Sequence, residues 1–119
     1  MYLMAKKTKR SNSIQEWSWR KANAIHKWFV ENVQNGEDDC KIYEANQIDL
    51  EDLLGKCEMI KKYPIVANKI LPNAPGFFFG DLEYDDYYHE CIEDTINILK
   101  EAITAIEKEK LKIYYQSSW

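Results

Sequence analysis

The sequence predicts an all-α fold, a small helical domain, and three observations carry that prediction. Apolar residues recur at helical spacing over about 14–34, 49–63 and 81–114. The breaks between these runs fall at Asn35-Gly36 and at Pro72-Asn73-Ala74-Pro75-Gly76. Only Lys41–Glu44 and Phe77–Gly80 read as candidate strands, too little for a sheet-based fold. With 119 residues and 45% hydrophobic content, the chain can build one modest core but not two.

Residues 1–12 read as a mobile arm, basic at Lys6, Lys7, Lys9 and Arg10, and residues 13–119 as a single helical domain. Ser11-Asn12-Ser13 offers good N-cap types just ahead of the first helix. In that helix Ile14, Ala22, Ile25, Phe29 and Val33 form one apolar stripe, with Trp17 and Trp28 at its edge. Asn35-Gly36 tolerates the left-handed backbone of a C-terminal cap. Residues 37–47 are polar and read as a loop. Asp49 and Asp52 resemble a capping box, and Leu50, Leu53, Leu54, Cys57 and Ile60 keep helical spacing until Pro64. A short turn from Ile65 to Leu71 follows, then Phe77-Phe78-Phe79-Gly80 as an extended segment.

Asp81 caps the long helix, whose stripe runs from Tyr84 and Tyr88 through Ile103 and Ile106 to Tyr114, about 45 Å at ~1.5 Å per residue. Its C-terminal half, with Ile103, Ile106, Leu111, Ile113, Tyr114 and Tyr115, exceeds what the shorter helices can cover. That excess predicts a homo-oligomer, dimer or tetramer, joined through this helix.

Charge and cysteine usage narrow the function. A net charge of -4 argues against binding DNA or RNA polymers, which calls for a basic balance. The charge is uneven: the start is basic, whereas eight acids between 81 and 101 face Lys100 alone. Cys40, Cys57 and Cys91 are odd in number and widely spaced, which favours a reducing cytosol over a disulfide framework. No stretch approaches the roughly 20 apolar residues of a membrane span. His26 and His89 have no metal-ligand spacing, no Ser or Cys sits in a nucleophile elbow, and the four glycines are too dispersed to cradle a phosphate. The expectation is therefore no catalytic residue, no metal and no cofactor.

What remains is a polar arc on the first helix, beside its apolar stripe. Trp19, Asn23, His26, Val30 and Gln34 gather there, with Arg20 and Lys27 on the flank. One reading has these residues pack against the 37–47 loop or the Phe segment and satisfy backbone groups. The other has Arg20 and Lys27 hold anionic oxygens while Trp19, Phe78, Tyr84 or Tyr88 stacks on a base, worth about 1–3 kcal/mol per base. Asn23 and Gln34 then read base edges.

Arg20-Lys21-Ala22-Asn23-Ala24-Ile25-His26-Lys27-Trp28-Phe29-Val30, Asn32-Val33-Gln34, Asp39-Cys40, Tyr43, Gly76-Phe77-Phe78-Phe79-Gly80 and Tyr84-Asp85 stand in one order. Together they resemble a family of small proteins that recur in phage genomes, over roughly residues 17–100. The family looks like phage anti-defence proteins, in particular the anti-CBASS sponges that sequester cyclic dinucleotides as oligomers. The resemblance implies a cyclic nucleotide ligand such as cGAMP, a host-cytoplasmic setting, and Tyr43 as a further ligand-binding residue. Where many relatives carry Ser or Thr after Phe-Phe-Phe-Gly, this chain has Asp81, which caps a helix but repels phosphate. The leading expectation is a non-enzymatic cyclic-nucleotide sponge. The alternative is an inhibitor that docks directly on a host defence protein.

Overall fold

The computed structural model describes residues 1–19, 22–72, 84 and 86–117. In order, these form β1 (Tyr2–Lys6), β2 (Gln15–Ser18), α1 (Asn23–Asn32), β3 (Tyr43–Ala45), α2 (Gln47–Lys62), a 3₁₀ turn (Pro64–Val66), α3 (Ala67–Ile70), α4 (Asp86–Glu109) and β4 (Lys112–Gln116). The fold is mixed α and β, which corrects the all-α expectation. Its strands make one antiparallel sheet in the order β2-β1-β4-β3, so the first and last strands of the chain meet at the centre.

Strand register explains which side chains reach the core. Leu3 lies opposite Trp17 on one side and Tyr115 on the other, and the next rung aligns Ala5, Ile113 and Ala45. Successive side chains alternate faces, so these residues share one face, where they join Ile25, Phe29, Leu53, Ile92 and Leu99 of the helices in a single core. On the opposite face Met4 pairs with Tyr114, both are buried, and the Lys6 ammonium lies 5.9 Å from the Tyr114 ring centre.

Residues 2–6, expected in a mobile arm, are thus a central strand. Ser11 turns a hairpin instead of capping a helix: its hydroxyl donates to Thr8 O at 2.8 Å and accepts from Thr8 N at 3.0 Å. Short polar side chains satisfy turn backbone as readily as helix ends, so the cap signal was ambiguous. Residues 15–18 are strand and not helix, with Trp17 buried between exposed Glu16 and Ser18. The helix expected over 14–34 shortens to the ten residues of α1, whose N-cap position, Ala22, supplies no side-chain cap. Asn35 and Gly36 do take left-handed backbone, with φ of 55° and 83°, and Gly36 N donates to Val30 O at 2.7 Å.

The second helix starts two residues early, capped by Asn46 Oδ1, which accepts from Asp49 N at 2.9 Å. It stops before Pro64, which opens the 3₁₀ turn. The long helix ends at Glu109; Lys110 turns left-handed with φ 59°, and the chain reverses into β4. Ile113-Tyr114-Tyr115 is a β-branched and aromatic run, which suits a pleated surface. Ile103, Leu111, Ile113, Tyr114 and Tyr115 are buried within the chain and Ile106 is half-buried, so most of the apolar excess that predicts an interface through α4 is covered internally. Phe77–Gly80 and Asp81 lie outside the described residues. Among the described residues, no helix is long and apolar enough to cross a membrane.

Candidate functional site

α1 carries Asn23 and His26 of the sequence-predicted arc, while Trp19 precedes the helix and Gln34 follows it. Phe29 stacks on Tyr115 with ring centres 3.9 Å apart and planes within 3°. Trp19 meets the edge of Phe29 at 6.2 Å, and its Nε1–H donates to Thr95 Oγ1 at 2.8 Å. Asn23 begins α1 and is buried. Gln34 is fully buried; its amide nitrogen donates to Glu37 O, and its Oε1 has no partner. These side chains are buried, with Trp19 reaching the floor of a shallow pocket beside Tyr87 and Glu90.

His26 is 0% exposed and bonded through both ring nitrogens. Nε2 lies 3.0 Å from Asp38 Oδ1 and Nδ1 lies 2.6 Å from the Tyr115 hydroxyl. An ionised carboxylate only accepts, so Nε2 carries the proton and Tyr115 O–H donates to Nδ1. Burial pushes the His26 pKa down, against the raising effect of Asp38, and burial pushes Tyr115 well up. The result is a relay held neutral at its centre, tying the 33–42 loop to β4.

The remaining predicted residues lie elsewhere. Tyr43 O–H donates to Asp39 Oδ2 at 2.6 Å, a bond that raises Tyr43 to about 12 and lowers Asp39. Tyr88 is buried and donates to Leu71 O at 2.7 Å; Tyr84, 37% exposed, meets its ring edge-on at 4.9 Å. Arg20 and Phe78 fall outside the described residues. The structure therefore brings Trp19 and His26 together around Phe29 and Tyr115, sets Tyr43 on the strand beside Tyr115, and turns Lys27 toward a separate cleft.

Lys27 points to a different place, a cleft of about 270 Å³ between α1, α2 and the end of α3. Lys27 and Glu31 from α1 face Asp52 and Lys56 from α2 across it, with Trp28 and Leu71 in its wall. The Lys27–Glu31 pair spans 3.7 Å and the Lys56–Asp52 pair 3.8 Å, each four residues apart on its own helix. Trp28 is buried, and its Nε1–H has no partner. Sequence reasoning missed Lys56, because its spacing from Asp52 looks like an ordinary exposed helix pair. It also missed Asp38 and Tyr115 as partners of His26, since only the fold joins them. Among the described residues, no group of three or more His, Cys, Asp or Glu is placed to hold a metal. Compared with known protein families, curated proteins and solved structures, the chain matches none.

Proposed function

We propose that this chain is a non-catalytic binder that sequesters a cyclic nucleotide, with one sugar-phosphate unit seated in the cleft between α1 and α2. The observation that carries this reading is the meeting of two lysines from different helices, Lys27 and Lys56, at one concave opening. Each lysine already has an acid beside it, but exposed pairs at this spacing contribute only about 0.3–0.5 kcal/mol. A charge-assisted contact to phosphate is worth about 1.5–3 kcal/mol, so phosphate displaces the acids. Glu31 and Asp52, once released, accept hydrogen bonds from sugar hydroxyls or base amino groups.

The cleft volume of about 270 Å³ sits just below the roughly 300–1,000 Å³ of small-molecule pockets. It admits one sugar-phosphate and leaves the rest of a cyclic dinucleotide outside. The resemblance to phage anti-defence sponges supports the same ligand class. A second reading, direct docking on a protein, draws on the exposed acidic arc of α4 beside Tyr84 and Tyr87.

The test is to incubate the purified protein with a panel of cyclic di- and trinucleotides, remove free ligand, heat-denature, and chromatograph what is released. The expected result is one ligand class recovered intact, with Lys27→Ala and Lys56→Ala each weakening retention roughly tenfold, as loss of one charge-assisted contact implies. Recovery of hydrolysed nucleotide, or of no nucleotide, overturns the proposal.

A further inference from the structure

A second feature lies away from the cleft floor, where α2 ends beside α4. Between residues 59 and 65 the surface carries Met59 at 50%, Tyr63 at 54% and Ile65 at 89% exposure, around exposed Lys61 and Lys62. Single exposed apolar residues are ordinary, but three so close in the chain, at one helix end, form a patch. Lys62 lies over the Tyr63 ring at 5.5 Å, which holds cation and aromatic together. The patch is apolar and basic.

Its neighbour has the opposite character. The outward arc of α4 presents Asp86, Glu90, Glu93 and Asp94, all exposed, with Tyr87 at 40% exposure. An ion pair, Lys61 Nζ to Glu93 Oε1 at 3.0 Å, joins the two surfaces and sets them edge to edge. A basic apolar patch beside an acidic aromatic one is complementary to itself after a two-fold rotation: each patch meets the other type on the opposing chain. Charge complementarity of this kind sets orientation and rejects like-on-like contacts.

We infer that the occupant of this surface is a second copy of the same chain, in an isologous dimer that sets Met59, Tyr63, Ile65 and Lys62 of each protomer against Tyr87, Glu90 and Asp94 of the other. The interface uses none of the apolar residues that the sequence assigned to association, since those are buried within the chain except for half-buried Ile106. It is also independent of ligand binding, because Lys27 and Lys56 take no part in it.

Sedimentation of the purified protein over a range of concentrations tests the inference, with circular dichroism as a check on folding. The wild type is expected to dimerise. Ile65→Glu, at a position open to water and so harmless to the fold, is expected to be monomeric under the same conditions. Lys62→Glu and Glu90→Lys are each expected to weaken self-association by roughly tenfold or more, since each sets like charges opposite one another. An equimolar mixture of Lys62→Glu and Glu90→Lys is expected to dimerise again, because both contacts of the mixed dimer are then attractive. A monomeric wild type, or an Ile65→Glu variant that dimerises undiminished, overturns the inference. Absence of rescue in the mixture does so as well, and leaves a foreign basic partner as the occupant of the acidic arc.

Discussion

His26 and Lys27 are neighbours on α1, yet His26 is closed between Tyr115 and Asp38 while the Lys27 side chain stays one third exposed at the rim of the cleft. About 100° of helix rotation separates them. The inner side meets β4 and the 33–42 loop, which seal it, and the outer side meets α2 across a gap that stays open. A polar residue on a helix becomes a core relay or a binding group according to what the fold lays over it. Residue type alone does not decide.

The hardest test of the sealed side is Phe29→Ala. Removing a fully buried ring stacked on Tyr115 is expected to cost about 3–5 kcal/mol, read from urea unfolding. A loss under about 1 kcal/mol would show that the inner side is not core. Next in size is Tyr115→Phe, which keeps the ring but takes the donor from His26 Nδ1. Leaving that buried acceptor unpaired is expected to cost about 1–3 kcal/mol. Asp38→Ala is expected to cost less, since its side chain is 28% exposed and water can reach the stranded N–H.

The relay also predicts a pH response. Burial holds the folded-state pKa of His26 below the usual histidine value of 6.5, so the unfolded chain binds a proton first as acid is added. Stability is then complete above pH 6.5 and falls as pH drops below it, by at most about 1.4 kcal/mol per pH unit for this one group. Thermal melts between pH 6.5 and 5, before carboxylates titrate, should show that slope in the wild type and a flatter one in His26→Gln. Equal slopes would remove His26 from the account.

The smallest effect on stability is expected on the open side. Lys27→Ala should change unfolding free energy by no more than about 0.5 kcal/mol while reducing nucleotide retention. A large loss of stability there would mean that the cleft is structural, and would erase the contrast between the two sides.

Several elements were readable from residues alone because their signals are local. Pro64 stops α2, Asn35-Gly36 turns out of α1, and Leu50, Leu53, Cys57 and Ile60 face inward, each for a reason contained within a few residues. The candidate cleft was half readable: Lys27 stood out, but Lys56 gained meaning only opposite it. The terminal strands were not readable. Leu3 and Tyr115 lie far apart in sequence and pair only because both ends of the chain return to the centre of the sheet.

By itself the sequence determined that three helical segments bury apolar faces, where the chain must turn, and that charge is segregated, since propensity, backbone freedom and formal charge are properties of single residues and near neighbours. Only the tertiary structure decided that Ile113 and Tyr115 belong to a strand, that His26 is sealed by Asp38 and Tyr115, and that Lys27 stays open to water. Strand pairing and burial depend on contacts between residues distant in the chain, and short runs of apolar residues satisfy helix and strand periods equally until those contacts choose between them.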